Sequence, residues 1–78
     1  MLHYLTRTTN KGHTRYYKII SLINLFGNHI VQRIFGSVNY KKPTGMIEHS
    51  FHTRAEAERY AKAILSRKIH RGYRLCVL

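Results

Sequence analysis

The sequence predicts a small α+β domain: an antiparallel β-sheet of about four to five strands with one α-helix packed across one face. Three observations predict it. Several segments rich in aromatic and β-branched side chains are separated by Gly-containing turns. One stretch, Ala57 to Leu65, repeats apolar residues at helical spacing. The chain has 78 residues, which is room for a single domain spanning 1–78. A domain of that size buries only about 60% of the surface its unfolded chain exposes.

Leu2 to Arg7 opens the chain as a short strand, with Leu2, Tyr4 and Leu5 as its apolar positions. Thr8 to Thr14 is polar around a central Gly12 and reads as a loop. Tyr16 to Leu25 is the second strand, and Phe26-Gly27-Asn28 turns it back, with Gly27 and Asn28 both suited to positive φ. His29 to Phe35 is the third strand and pairs with the second as an antiparallel hairpin. Gly36 to Gly45 contains Pro43, which lacks a backbone donor, and forms the longest loop. Met46 to His52 returns as a strand.

Thr53-Arg54-Ala55-Glu56 has the form of a capping box, in which the Thr53 hydroxyl and the Glu56 carboxylate satisfy each other's backbone donors. Ala57, Tyr60, Ala61, Ile64 and Leu65 then lie on one helical face. Gly72 ends the helix after Arg71, as a residue free to adopt the left-handed conformation does. Tyr73 to Leu78 is a short closing strand. Lys68 falls on the apolar helix face, where its stem lies on the core and its ammonium reaches outward.

The charge balance sets the function class. Fourteen Lys and Arg stand against three Glu and no Asp, for a formal net charge of +11. Such a field favours anionic partners, nucleic acid first and an anionic membrane surface second. Arg67, Lys68, His70 and Arg71 crowd the helix C-terminus, where the dipole favours cations. That placement leaves Lys11, Arg15, Lys18, Arg33, Lys41 and Lys42 unexplained.

Other chemistries lack material. Three carboxylates cannot support paired-carboxylate catalysis, and no nucleophile elbow or phosphate-cradling Gly loop is present. His49 and His52 are three apart in a strand and point to opposite faces, so they make no metal pair. The lone Cys76 can form no internal disulfide, which fits a reducing cytoplasm and a small buried hydrophobe rather than a nucleophile. The longest apolar runs fall far short of a membrane span, and the short helix has no free apolar face with which to lie on one. The expectation is a non-enzymatic protein with no cofactor and no metal. No oligomeric state is written in the pattern.

From Tyr16 to Tyr73 the sequence resembles the WGR domain family, in the form of its small stand-alone bacterial members. Arg15-Tyr16-Tyr17-Lys18-Ile19 is similar to the family's first aromatic strand. Leu25-Phe26-Gly27-Asn28-His29 is similar to a Leu-Phe-Gly turn, with His29 where Trp is common. Arg33-Ile34-Phe35-Gly36-Ser37-Val38-Asn39 falls on the signature Arg-x-Trp-Gly-Arg-Ile-Gly. Phe51-His52-Thr53 with Ala55-Glu56-Ala57 resembles the entry to the single helix, and Lys68-Ile69-His70-Arg71-Gly72-Tyr73 the closing Lys-x-x-x-Gly-Tyr. Tyr4-Leu5-Thr6-Arg7 is similar to the family's opening.

The Trp-Gly-Arg triplet is here Phe35-Gly36-Ser37: the aromatic and the Gly are kept and the Arg is not. In eukaryotic poly(ADP-ribose) polymerases that Trp and Arg contact DNA ends and neighbouring domains. The resemblance therefore implies nucleic-acid binding, with DNA ahead of RNA. Arg15, Lys18, Arg33, Lys41 and Lys42 would neutralise phosphates, Lys11 would contribute from its loop, and Phe35 or Tyr40 would stack on a base. Ser37 cannot replace an Arg on a phosphate, but Arg33, Phe35 and Ser37 share one face of their strand. Read from the residues alone, Phe35 is a core aromatic at a strand end before it is a stacking platform, because burial is the commoner use of an aromatic, and Gly36 permits a special backbone geometry there. For Lys68 the resemblance implies a structural role, pairing with backbone carbonyls. If the signature surface is idle, the helix end at Arg67 and Arg71 is the next place for an anion. The alternative function is an adaptor that docks on an acidic protein partner.

Overall fold

The computed structural model describes residues 2–76, in the order β1 (Leu2–Thr8), β2 (Thr14–Ile23), β3 (His29–Ser37), β4 (Gly45–Phe51), α1 (Arg54–His70) and β5 (Arg74–Cys76). The strands form one antiparallel sheet in the order β4-β3-β2-β1-β5, and α1 packs across one face. This is the expected α+β architecture. Val77 and Leu78, placed by the sequence in the closing strand, lie outside the described residues.

Alternation along the strands sets the two faces. Leu5, Tyr17, Ile19 and Val31 point to the helix and meet Ala57, Ala61 and Ile64. Leu5, Ile19 and Val31 are completely buried, and full burial of each side chain contributes about 1.5–3 kcal/mol. The small Ala57 and Ala61 let the helix approach the sheet, while Tyr60 and Leu65 close the flanks of the core. The opposite face carries Tyr4, Tyr16, Lys18, Ile34 and Met46.

The helix begins at the expected N-cap, Thr53, with the Glu56 carboxylate on the Thr53 hydroxyl where the sequence placed it on the Thr53 backbone donor. The Thr53 hydroxyl accepts from the Glu56 backbone N–H at 3.2 Å and donates to the Glu56 carboxylate at 3.0 Å. At its other end Arg71 is the C-cap and Gly72 has φ +100. The first loop is shorter than expected, because Thr8 and Thr14 still pair across strands and their hydroxyls lie 3.4 Å apart.

The structure narrows two readings of the turns. At the β2–β3 turn only Gly27 has positive φ; Asn28 does not. Gly36 does not adopt positive φ either. Its role is close approach: a Cβ there would lie 3.0 Å from the Thr44 backbone nitrogen and 3.1 Å from the Tyr16 hydroxyl. The returning loop, anchored by Thr44 N–H on the Phe35 carbonyl at 2.9 Å, presses against it.

Candidate nucleic-acid interface

The helix-facing side of the sheet carries charge toward the end where α1 stops. Three cross-strand rows build it. Arg7, Arg15 and Ser37 stand side by side on β1, β2 and β3. The next row is Leu5, Tyr17, Phe35 and Gly45, and the third is Ile19, Arg33 and Ile47. The helix reaches over the second and third rows and ends before the first. Lys68 and Arg71 descend from its last turn, and Tyr73 follows.

The result is a cleft of about 280 Å³ lined by Arg7, Arg15, Arg33, Lys68 and Arg71 around Tyr17, Phe35 and Tyr73. Tyr17 and Phe35 form its aromatic floor, stacked with centroids 5.5 Å apart and planes within 8°. Tyr73 meets Tyr17 edge-on at 6.0 Å. Gly45 is required beneath this floor, because a Cβ there would sit 2.8 Å from the Phe35 ring. Arg7 is held against the helix end, its Nε 3.7 Å from where a Gly72 Cβ would be.

Two cations are fixed by the floor itself. Arg33 donates from Nε to the Tyr17 hydroxyl and from Nη1 to the Tyr60 hydroxyl, the latter at 3.1 Å. Burial alone would lower its pKa, but these two hydrogen bonds outweigh burial and leave the value raised. Arg33 is therefore a positioned, permanently charged group. Lys68 places its Nζ 4.4 Å from the Tyr17 centroid and 5.8 Å from that of Tyr73. Its ammonium faces rings, where the family resemblance implied backbone carbonyls. Burial, followed by the charges of Arg71, Arg33 and Arg67, holds its pKa below the ordinary lysine value.

No carboxylate answers these charges among the described residues. Glu48 accepts from Gln32 at 2.8 Å, Glu56 accepts from the Thr53 hydroxyl at 3.0 Å, and Glu58 pairs with Arg54 at 2.8 Å. All three lie away from the cleft. Arg7 directly opposite Arg15 is a like-charge cross-strand pair, an arrangement that destabilises a sheet. What the cleft can do chemically is accept an anion, by forked guanidinium contacts and over an aromatic floor.

The expected site residues separate into groups. Arg15, Arg33 and Phe35 meet in the cleft. Lys11 lies in the adjacent β1–β2 loop and lines a hollow that shares Arg7 and Arg15 with the cleft. Lys18 is on the other face, 5.9 and 5.6 Å from the Tyr4 and Tyr16 centroids. Tyr40, Lys41 and Lys42 are exposed in the β3–β4 loop and line neither hollow. Phe35 is half-buried and serves at once as cleft floor and as packing against the core.

Arg7, Tyr17 and Tyr73 were not singled out by the sequence, and Lys68 was assigned to structure alone. The available signal was the period-2 run Arg15, Tyr17, Ile19 beside Arg33, Phe35, Ser37, read together with the helix-terminal cations. Among the described residues no three His, Cys, Asp or Glu side chains come together as a metal group, and no helix is long and apolar enough to cross a membrane.

The family model of the WGR domain matches residues 1–76. No curated protein matches the chain, and no solved structure does.

Proposed function

The chain belongs to the WGR domain family, a nucleic-acid-binding type of domain, and we propose that it acts without enzymatic activity as a DNA-binding domain whose phosphate site is the cleft at the helix end. The observation that carries this is the convergence of Arg7, Arg15, Arg33, Lys68 and Arg71 with no carboxylate among them. Five like charges brought together around rings raise the energy of the free protein. A phosphate backbone entering the cleft relieves that repulsion while gaining charge-assisted hydrogen bonds. Tyr17 and Phe35 offer a flat apolar surface for a sugar or an unpaired base beside the phosphate. Lys11 extends the track from the neighbouring loop. A cytoplasmic setting fits the free thiol of Cys76.

The test is a binding titration with labelled duplex, nicked and single-stranded DNA, beside a non-nucleic polyanion of equal charge. Arg15 and Arg71 are both exposed, so Arg15→Gln/Arg71→Gln leaves the fold intact. It should weaken DNA binding at least about tenfold. Lys41→Ala/Lys42→Ala should weaken it less, because those side chains lie outside the cleft. No DNA binding at low salt would overturn the proposal and favour the adaptor, with acidic side chains of a partner protein in the same cleft. Equal losses from both double variants would move the site off the cleft.

A further inference from the structure

The end of the molecule opposite the cleft is of a different character. Residues 19–32 contain no Lys, Arg, Asp or Glu in a chain with 22% charged residues. This stretch is the β2–β3 hairpin tip, and it presents large apolar side chains to solvent. Leu25 is 101% exposed, Phe26 88% and Ile23 64%. Exposed apolar patches of this kind mark association sites.

The tip is built, not slack. The Asn24 side-chain oxygen accepts from the backbone N–H groups of Phe26 and Asn28, both at 3.0 Å. The Asn24 carbonyl accepts from Gly27 N–H at 3.1 Å, and Gly27 takes the positive φ that the turn demands. Beside the tip lies a cavity of about 200 Å³ lined by Leu22, Ile23, Ile30 and Ala57, with Arg54 and Glu58 at its edge. Those two neutralise each other at 2.8 Å. Ile23 and His29, which flank the turn, also line the cavity, so projection and hollow form one continuous surface.

We infer that the β2–β3 turn and the cavity beside it form a self-association surface, on which a second copy of this chain docks with Phe26 of each copy in the cavity of the other. Three arguments select a second copy. A two-fold interface requires one patch to be complementary to itself, and a projection beside a hollow of the same apolar chemistry meets that requirement. Two chains of +11 repel at most approaches, but at this end neither brings an uncompensated Lys or Arg. Their cationic clefts then point away from each other, many Debye lengths apart, the screening length being about 8 Å at physiological salt. A membrane surface would need cations around the inserted tip to meet anionic headgroups, and the cations lie at the other end. A turn of a few exposed apolar side chains is a small contact beside the roughly 20–30 residues a side of a standard stable interface, so the association belongs in the micromolar range or weaker.

The experiment is sedimentation equilibrium of the full chain from about 5 to about 500 µM, at about 0.1 and 0.5 M NaCl. The expected result is a monomer–dimer equilibrium that strengthens at higher salt, as the residual repulsion is screened. Phe26→Ser should weaken association at least about tenfold, with unchanged circular dichroism and an unchanged per-chain affinity for short DNA. Ile23→Thr keeps a β-branched residue in the strand and should weaken association in the same direction. A wild-type chain that stays monomeric throughout overturns the inference, as does equal association of wild type and Phe26→Ser. Phe26-dependent binding of the monomer to phosphatidylserine vesicles overturns it in favour of a membrane. Because the DNA titration reads the other end of the molecule, its failure and the failure of this inference are separable.

Discussion

At the scale of single residues, Lys68 carries the tension of the cleft. Its pKa is lowered by burial and by Arg71, Arg33 and Arg67. A group that binds its proton less well when folded makes stability rise with pH, from its depressed folded pKa up to the ordinary value of 10.5. Lys68→Met removes this rise while keeping a chain that packs on Tyr17. The difference in stability between wild type and Lys68→Met, followed by denaturant melts through the alkaline range, should shift toward the wild type as pH increases. A bound anion acts in the opposite sense, since it favours the charged ammonium. DNA affinity of the wild type should therefore fall through that window more steeply than that of Lys68→Met; parallel pH profiles would remove Lys68 from the site. Ser37 is the complementary case. It stands beside Arg15, and its hydroxyl accepts the Asn39 backbone N–H at 3.3 Å, at the exposed start of the loop. Ser37→Arg gives up that one exposed hydrogen bond and adds a forked donor to the Arg7–Arg15 row. Restoring the signature cation in this way should tighten DNA binding about three- to tenfold and lower thermal stability slightly, by like-charge contact. Tighter binding to DNA without tighter binding to the equal-charge polyanion would show that the contact is geometric; no change in either would show that the row lies outside the track.

Among the elements, β3 and β4 hold the aromatic floor by the absence of a side chain. Gly45 faces Phe35 across the ladder, and a Cβ there would come within 2.9 Å of two of its ring atoms. Gly45→Ala must push the Phe35 ring off Tyr17 or open the β3–β4 pairing. The expected cost is about 1–3 kcal/mol, the range of an overpacked core, with loss of the cleft's shape and a fall in DNA affinity measured on still-folded protein. A variant as stable as wild type would mean that the ring has room to move, and the floor would not be rigid. Much of this level was legible in the sequence. The capping box, the single apolar helical face and the Gly72 stop are local patterns, and each lies where its residues placed it. The function of Gly36 and Gly45 was not legible, because both answer to atoms of another strand or loop. The same holds for Arg7, which reaches the cleft through the pairing of β1 with β2; Arg71 was legible as a cation at the helix end, but not as a neighbour of Arg15 and Arg33, which it becomes only once the helix has crossed the sheet. Arg15, Lys18, Arg33 and Phe35 could be singled out because basic residues alternate with aromatics there, and strand alternation puts Arg33 and Phe35 on one side; that Arg15 joins them and Lys18 does not depends on the β2–β3 register, which pairs Arg15 with Ser37 and Lys18 with Ile34.

The whole molecule separates its surface chemistry by position. One end gathers five cations in a cleft, the other exposes an uncharged apolar turn, and the longest dimension is 43 Å. Composition announced the excess of charge but not its segregation, which depends on β1 and the helix C-terminus meeting at one end. Segregation has a thermodynamic consequence. Repulsion inside the cleft belongs to the folded state, since the unfolded chain spreads Arg7, Arg15, Arg33, Lys68 and Arg71 apart along its length. Salt screens that repulsion, so the free protein should become more stable as salt rises, with a melting temperature higher at about 0.5 M NaCl than at 0.05 M. Association with DNA must run the other way. If the five cleft cations each displace a counterion from duplex DNA, the log–log slope of affinity against salt is near −4.5. Arg15→Gln/Arg71→Gln, with two of them removed, should flatten the slope by about 1.8 units and at the same time make the free protein less sensitive to salt. The paired change identifies a single cause for both effects. A flattened DNA slope with an unaltered salt dependence of stability would mean that these two arginines meet phosphates without repelling one another when the cleft is empty. A slope near zero for the wild type would mean that phosphate neutralisation is not what the cleft is for.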